Sequence, residues 1–442
     1  MLRCLVTGAT GYIGTRLVPR LLDEGHQVRA LARNPAKLAD VPWRERAEVV
    51  RGDFADVDSL TAAFDGVDVV YYLVHSMGSA KNFAAEEDRA VANVVTAARR
   101  TGVRRIVYLS GLHPDNAALS PHLRSRAAVG EALIASGIET AVLQAGVVIG
   151  SGSASFEMIR HLTDRLPVMT TPKWVHNRIQ PIAVRDALHY LVAAATASLP
   201  SSRTWDIGGP DVLEYGDMMR IYAEVAGLRT RRLIVLPFLT PTIASLWVGT
   251  VTPIPPGLAR PLIESLECDA VMRNSDVDSI IEPPPGGLTG YRRAVELALQ
   301  HETRGLPTWD ALTAEPAEPL PSDPDWAGAV SYTAVQTATI AAGPDDVRKV
   351  AEDVAHGSRW YAIAGRPVHL RPLGRSWVDV TVAPREGGGS EYVQRAGFVP
   401  RGLPGRVCSV LLRPLHIAAL RALTRDVERT VTHRTAGAAQ AP

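Results

Sequence analysis

Three glycines near the start of the chain have the spacing of a phosphate-binding turn. They are Gly8, Gly11 and Gly14, within the stretch TGATGYIG. Glycine at the first position permits a tight turn, glycine at the second lets the backbone approach a pyrophosphate, and glycine at the third lets a helix pack closely on the sheet. The free N–H groups and the positive dipole end of that helix favour phosphate oxygens. The spacing therefore predicts a nucleotide-binding turn, and the alternative is a glycine turn that only packs.

The residues around the turn supply the strand and the helix that it needs. The apolar run over residues 2–6 is too short for a helix and predicts a strand. Apolar residues recur at helical spacing over residues 16–24, and Gly25 ends the pattern. This strand, turn and helix order is the context that supports the nucleotide-binding interpretation.

The stretch TGATGYIG resembles the opening of the extended and atypical short-chain dehydrogenase/reductase superfamily. The resemblance implies that one set of loop residues holds the pyrophosphate of a nicotinamide dinucleotide: Gly8, Thr10, Gly11, Tyr12, Ile13 and Gly14.

The residue after the second predicted strand bears on cofactor preference. Arg33 stands where an NAD-specific protein carries an acid for the ribose 2′-OH. A guanidinium suits a 2′-phosphate, so we expect NADP(H) to be preferred over NAD(H). The alternative for Arg33 is an ordinary solvated charge at a strand end.

Other cofactor contacts are expected where further predicted strands end. The resemblance implies that Asp53 faces the adenine, although an aspartate there is equally a turn former. Because ligands bind at the carboxyl ends of parallel strands, we also assign four residues at or just after the ends of the fourth strand, predicted at 67–73, and the sixth, predicted at 139–143. They are Leu73, Val74, His75 and Gln144.

A serine and a histidine are the candidate catalytic residues. In catalytic relatives a serine at the place of Ser110 polarises the substrate carbonyl, and a Tyr-x-x-x-Lys pair supplies the proton. Here the stretch HLRSR puts His122 at the tyrosine register and Arg126 at the lysine register. We interpret His122 and Ser110 as a proton-transfer pair and Arg126 as a clamp on the nicotinamide ribose or a phosphate. The alternative is a site that has lost the standard chemistry; His75 and His113 are further candidates at strand ends.

Composition narrows the class of protein. The 442 residues allow two or three domains. A formal net charge of +1 gives no general attraction to nucleic acid. The three cysteines, Cys4, Cys268 and Cys408, form no metal or disulfide pattern, so we expect no metal site. With no signal peptide before the first strand, the sequence predicts a cytoplasmic location.

The alternation of strands and helices predicts an α/β fold, a Rossmann doubly wound parallel sheet. We place this NAD(P)-binding domain at residues 1–305, with a substrate subdomain at about 150–180 and 205–300. Residues 233–259 carry no charge and are broken by prolines. They predict a lid over an apolar substrate or a core segment of the subdomain, and the alternative is peripheral membrane contact.

Four short stretches resemble one bacterial branch of atypical reductases. They are VHSM at 74–77, HLRSR at 122–126, PxW at 172–174 and PPG near 255. The branch implies an NmrA-like or epimerase-like nucleotide domain followed by a smaller α+β domain related to the START/polyketide-cyclase helix-grip fold. We accordingly expect a Pro-rich linker at 306–325, a helix-grip-like domain at 326–435 with its long helix at 414–429, and a disordered tail at 436–442.

Two functions fit these observations. The first is an enzyme that transfers hydride from NADPH to a small apolar carbonyl or enone. The second is a non-catalytic NADP(H)-binding protein, either a redox sensor like NmrA or an accessory subunit like that of respiratory complex I.

Overall fold

The computed structural model describes most of the chain. The described residues are 1–39, 41–74, 83–115, 119–236, 248, 252, 254, 256–304, 332–357, 369–370, 373–385, 388–400 and 402–438. The chain divides into two units: Met1–Thr163 with Pro167–Gly328, and Asp164–Leu166 with Ala329–Pro442.

The first unit contains thirteen strands and nine α-helices among its described residues. The strands are β1 (Arg3–Val6), β2 (Gln27–Ala32), β3 (Glu48–Arg51), β4 (Val69–Tyr72), β5 (Arg105–Gly111), β6 (Glu139–Ala145), β7 (Val148–Ile149), β8 (Val168–Thr171), β9 (Arg178–Ile179), β10 (Ile182–Ala183), β11 (Arg203–Ile207), β12 (Leu213–Glu214) and β13 (Arg232–Val235). The helices are α1 (Tyr12–Asp23), α2 (Val57–Phe64), α3 (Phe83–Thr101), α4 (Pro121–Ile134), α5 (Ala154–Arg165), α6 (Val184–Ala193), α7 (Tyr215–Val225), α8 (Pro256–Glu264) and α9 (Tyr291–Arg304).

Seven of these strands form one parallel sheet, in the order β11-β6-β5-β4-β1-β2-β3. The prediction of a doubly wound parallel sheet is therefore confirmed. The strand order reverses between β1 and β4, and in such sheets ligands bind in the crevice outside the carboxyl ends of the strands at that point. The glycine turn follows β1 directly, so the fold places it at this crevice.

Both faces of the sheet are covered, as a parallel sheet requires. In β1, Cys4 and Val6 pack into the core on one face, with α1 and α6, whereas Leu5 packs into the core on the other face, with α2, α3 and α4. Burial raises the pKa of the Cys4 thiol to about 12, so this cysteine is a neutral core residue.

Two predicted boundaries are wrong by a few residues, and both errors bear on the site. Helix α1 begins at Tyr12, four residues before the predicted start at 16, because Gly11 already stands at its N-cap. The apolar run over residues 105–109 predicts the fifth strand, and strand β5 continues two residues further, through Gly111. Ser110 therefore lies inside the strand, where the sheet fixes its direction.

Short strand pairs lie in and next to the region where the sequence predicts a substrate subdomain, which stays a prediction. Strands β7 and β10 pair in parallel, β8 and β13 pair in parallel, and β9 and β12 are antiparallel. Strand β13 opens the uncharged stretch at 233–259, and Val248, Ile254 and Ala259 of that stretch are buried. The lid and membrane interpretations otherwise fall on 237–247, 249–251, 253 and 255, outside the described residues. No helix among the described residues has the length and apolar character needed to cross a membrane.

The second unit is mixed α/β. Its elements are β14 (Tyr332–Ile340), α10 (Pro344–Gly357), β15 (His369–Leu370), β16 (Gly374–Pro384), β17 (Ser390–Pro400) and α11 (Gly402–Ala438). The four strands form an antiparallel sheet in the order β14-β17-β16-β15. Tyr392 of β17 is buried against Val427 and Val431 of α11. The helix-grip relationship stays a prediction, and the expected linker at 306–325 lies outside the described residues.

The last helix is much longer than the predicted 414–429. It begins at Gly402 and continues through Ala438, three residues into the stretch expected to be a disordered tail. The predicted start at Pro414 agrees with the preference of proline for the first helical position. Pro414 instead lies inside the helix, where it is exposed and has no N–H to donate to the carbonyl four residues earlier.

Candidate functional site

The glycine turn has the geometry that its spacing predicts. Gly8 has φ of +64°, a left-handed conformation that favours glycine. The N–H of Gly11 donates to the carbonyl of Gly8 at 2.8 Å and closes the turn. A Cβ on Gly8 would lie 3.1 Å from the Leu73 carbonyl oxygen and 3.3 Å from Cγ2 of Val74. The turn after β1 therefore contacts the residues after β4.

The third glycine packs on the turn itself rather than on the sheet. A Cβ on Gly14 would lie 2.3 Å from the carbonyl oxygen of Gly8 and 3.0 Å from the Cα of Ala9. The hydroxyl of Thr15 adds hydrogen bonds to the carbonyls of Ala9 and Gly11, both at 2.8 Å. These contacts hold the first turn of α1 against the glycine turn.

The start of α1 fits a diphosphate. Its N-cap residue, Gly11, is exposed, and because glycine has no side chain it caps none of the N–H groups of the first turn. Backbone N–H groups and the positive end of a helix dipole are the groups that bind phosphate oxygens. Gly11 would place no side chain between them and a ligand. The residues present thus fit the pyrophosphate of a dinucleotide.

Thr7 fixes the two strand ends that border the crevice. Its hydroxyl donates to the Tyr71 carbonyl at 2.8 Å and accepts from the N–H of Leu73 at 3.0 Å. Leu73 and Val74 are half-buried beside the turn, where a cofactor contact was predicted. His75, assigned to the same contact, lies outside the described residues.

Arg33 and Asp53 lie at the ends of β2 and β3. Arg33 is exposed, and the described part of the chain gives it no ion pair or hydrogen bond. The carboxylate of Asp53 accepts from the N–H of Ala55 at 3.0 Å, and its own N–H donates to Oγ of Ser59 at 3.1 Å. Asp53 therefore does form a turn, and its contact with adenine stays a prediction.

Three polar side chains form a row across adjacent strands. Ser110 of β5 is the register partner of Gln144 of β6, and Gln144 is the partner of Asp206 of β11. Register partners in parallel strands point to the same face, so the three side chains lie side by side. All are buried, at 2%, 3% and 1% relative exposure. This polar row lies near the carboxyl ends of the three strands.

Helix α4 lies over the end of β5. The guanidinium of Arg126 donates to the Leu109 carbonyl at 2.7 Å, and the hydroxyl of Tyr108 donates to the Arg126 carbonyl at 3.2 Å. Leu123 approaches Gly111, where a Cβ would lie 3.5 Å from its Cδ2. The structure thus brings the segment of α4 that carries His122 and Arg126 to the strand that carries Ser110. The Arg126 guanidinium holds the strand backbone, and its contact with a cofactor stays a prediction.

His122 is a neutral side chain at ordinary pH. Burial, followed by the nearby Arg126 charge, lowers the pKa of His122 to about 4. A neutral imidazole can donate a hydrogen bond to a carbonyl oxygen, but it is a poor proton donor. Nor does a buried phenol replace the missing tyrosine, because burial raises the pKa of both Tyr72 and Tyr108.

We expect His122 to make the folding stability pH-dependent. Its pKa is about 4 in the folded chain against the ordinary 6.5. Between pH 6.5 and about pH 4 the unfolded chain binds a proton at this histidine and the folded chain does not. The free energy of unfolding therefore falls as the pH falls across this range, by up to roughly 3 kcal/mol. His122→Gln should remove this part of the acid dependence in urea titrations at several pH values. Equal acid dependence in the wild type and His122→Gln, with the half-buried His189→Gln as control, would contradict the assignment.

The residues that surround Gln144 were not predicted from the sequence. Asp206 accepts from Nε and Nη2 of Arg273, at 2.9 and 2.6 Å. Arg273 also donates to Oδ1 of Asp115 at 2.6 Å and to Oε1 of Gln144 at 2.8 Å. The available signal was an aspartate between Trp205 and Ile207 in an apolar strand, since a buried carboxylate requires a partner.

The expectation that the chain has no metal site stays a prediction. Among the described residues, no group of three or more His, Cys, Asp or Glu side chains could hold a metal ion.

Comparisons with known proteins agree with this geometry. Residues 8–152 match the family model described as NAD(P)H-binding. A 3 beta-hydroxysteroid dehydrogenase/Delta 5→4-isomerase of Mycobacterium tuberculosis is 38% identical over 118 residues, 24% of this chain and 31% of that protein. The chain thus spans about a third of the length of the first curated relatives that it matches.

A second relative and one solved structure match more of the chain. The mitochondrial NADH dehydrogenase [ubiquinone] 1 alpha subcomplex subunit 9 of Arabidopsis thaliana is 25% identical over 330 residues, 70% of this chain and 80% of that protein. The Citrobacter sp. triphenylmethane reductase complexed with NADP(H) superimposes with a TM-score of 0.53 and 21% identity, over 67% of this chain and 99% of that one. The first unit therefore has the Rossmann fold of NAD(P)H-binding reductases and epimerases, and the match over residues 8–152 supports the binding of a nicotinamide dinucleotide.

Proposed function

We propose that the chain is an NADPH-dependent reductase acting on a small apolar carbonyl or enone. The observation that carries the proposal is the start of α1, where the N-cap residue Gly11 places no side chain over the first turn, at the point where the strand order reverses. The row formed by Ser110, Gln144 and Asp206 lies at the carboxyl ends of strands in the same sheet. A site of this kind holds the dinucleotide at the turn and a polar group of the substrate at the row.

The residues have separable tasks in this proposal. The glycine turn binds the pyrophosphate, Arg33 binds the 2′-phosphate, and Ser110 donates a hydrogen bond to the substrate oxygen. NADPH, when bound, supplies the hydride, which carries both electrons to the carbonyl carbon or to the β-carbon of an enone. Water supplies the proton that completes the reduction, and NADP⁺ is the other product.

The protonation state of His122 favours an enone over a simple ketone. A site whose histidine is neutral offers hydrogen bonds to a developing oxyanion but no charged acid. Hydride addition to an enone gives an enolate, whose charge is delocalised and which needs less help from a proton donor than an alkoxide. The preferred acceptor is therefore a conjugated one.

One comparison favours a second candidate function. The Arabidopsis thaliana relative, whose match extends over most of both chains, is named as a subunit of NADH dehydrogenase. A chain of this type would bind NADP(H) as an accessory subunit or a redox sensor without turnover. A reductase oxidises NADPH when cyclohexenone or cinnamaldehyde is added, whereas a sensor binds NADPH and NADP⁺ with different affinities and reduces neither added acceptor. Steady NADPH absorbance with both acceptors would overturn the reductase proposal.

Cofactor preference is tested at Arg33. We expect Arg33→Ala to weaken NADPH binding about tenfold or more and to leave NADH binding unchanged, because the variant loses a charge-assisted contact with the 2′-phosphate. Fluorescence titration with both nucleotides measures this difference. Arg220→Ala, which removes an exposed arginine from α7, is the matched control. Equal weakening of NADPH and NADH would contradict the role of Arg33.

A further inference from the structure

A chain of hydrogen bonds links a buried carboxylate to His113. Asp206 is 1% exposed and accepts from Arg273 through both carboxylate oxygens. The backbone N–H of Arg273 adds a third bond, at 2.8 Å. These bonds fix the guanidinium plane at the end of β11. The hydrogen bond with Asp206 raises the pKa of the Arg273 guanidinium, although burial acts in the opposite direction, so Arg273 stays a cation.

Arg273 fixes which way the amide of Gln144 points. Its Nη2 lies 2.8 Å from Oε1 of Gln144. A guanidinium has donors only, so the amide group that faces it must be the oxygen. The amide nitrogen of Gln144 then faces Nε2 of His113, at 3.1 Å. A reversed amide would set two donors against each other at Arg273.

The amide in turn fixes the position of the proton on His113. Because the nitrogen of Gln144 donates, Nε2 of His113 must accept, and the ring proton lies on Nδ1. A proton on Nε2 would again place two donors opposite each other, the ring N–H and the amide N–H of Gln144. Asp206 thus orients Arg273, and Arg273 orients the amide of Gln144. The amide in turn requires a neutral His113 ring with its proton on Nδ1.

The position of His113 gives this tautomer a use. The residue lies two positions after the end of β5, the strand that carries Ser110, at the edge of the sheet where ligands bind. Its side chain is half-buried. Nδ1 lies 3.4 Å from the Pro114 carbonyl oxygen, beyond the usual 2.7–3.2 Å range, so this N–H keeps capacity for a nearer acceptor.

We infer that His113 is a catalytic residue that donates Nδ1–H to the substrate oxygen, with Gln144 and Arg273 as positioning residues. This inference rests on the proposed reductase function. The imidazole stabilises negative charge on that oxygen during hydride transfer and keeps its own proton. The assignment also gives the amide of Gln144 a role toward His113, distinct from the cofactor contact predicted for it.

The tautomer is measured first, on the full chain labelled with ¹⁵N-histidine. Long-range ¹⁵N–¹H spectra at pH 8 distinguish Nδ1–H from Nε2–H rings, and the His113 signals are those lost in His113→Phe. We expect Nδ1–H in the wild type and Nε2–H in Gln144→Glu, whose carboxylate accepts instead of donating. His189 is the internal reference, because its Nε2 lies 2.8 Å from the Glu282 carbonyl and must donate. An Nε2–H ring at His113 in the wild type would overturn the inference.

Turnover is measured second, with cyclohexenone as acceptor. We expect His113→Phe to lower kcat about a hundredfold with the dissociation constant for NADPH unchanged, as loss of one oxyanion donor does. Gln144→Glu should lower kcat with the change of tautomer, and His189→Phe should keep wild-type activity. Unchanged kcat in His113→Phe would overturn the catalytic role. A wild-type chain that binds NADPH but reduces no acceptor contradicts the reductase function and the catalytic role with it, whereas the tautomer is decided by the nitrogen spectra alone.

Discussion

Replacing Gly14 with alanine should destabilise the first unit by about 3 kcal/mol, the upper part of the usual range for overpacking. The added methyl would lie 2.3 Å from the carbonyl oxygen of Gly8 and 2.8 Å from its carbon. Both atoms are backbone atoms of a turn with φ of +64° at Gly8, so no side chain can rotate away. Urea titration of the full chain by circular dichroism measures the loss, and fluorescence titration should show weaker NADPH binding.

Gly11→Ala is the matched control in the same turn. Gly11 has φ of −89° and ψ of 167°, which alanine adopts freely, and its nearest contact would be the Gly8 oxygen at 3.1 Å. We therefore expect this variant to keep most of its stability and to lose nucleotide affinity, because the methyl would occupy the approach of the pyrophosphate. Equal stability losses in the two variants would contradict the packing role of Gly14.

The parallel sheet could be predicted because its signals are local. A short apolar strand, a glycine turn and a helix follow one another within residues 2–25, and this unit sets the direction of the strands that follow. Even so, the pattern placed the start of α1 four residues late, since apolar spacing marks the buried face and not the N-cap. The length of α11 was missed for a related reason, because a proline inside an exposed stretch of helix has the local signature of a helix start.

The polar cluster could not be predicted, because it depends on contacts between distant parts of the chain. Gln144 was chosen for its place after a strand, but its partners His113 and Arg273 lie 31 and 129 residues away. Asp206 joins them only through the register of β11 with β6, which no local pattern specifies. Sequence reasoning therefore located the carboxyl end of the sheet but could not tell which side chains bond to one another there.

Arg273→Ala should cost about 3 kcal/mol of folding stability, because it leaves the buried Asp206 carboxylate without its cation. The matched control is Arg292→Ala, which breaks an exposed ion pair with Glu224 and should cost less than about 1 kcal/mol. Adding Asp206→Asn to Arg273→Ala should recover part of the loss, since the double variant no longer buries an unpaired charge. Urea titrations of the four chains at pH 7 measure these differences. Similar losses for Arg273→Ala and Arg292→Ala, with no recovery in the double variant, would mean that the cluster contributes packing alone and that Asp206 does not anchor the guanidinium.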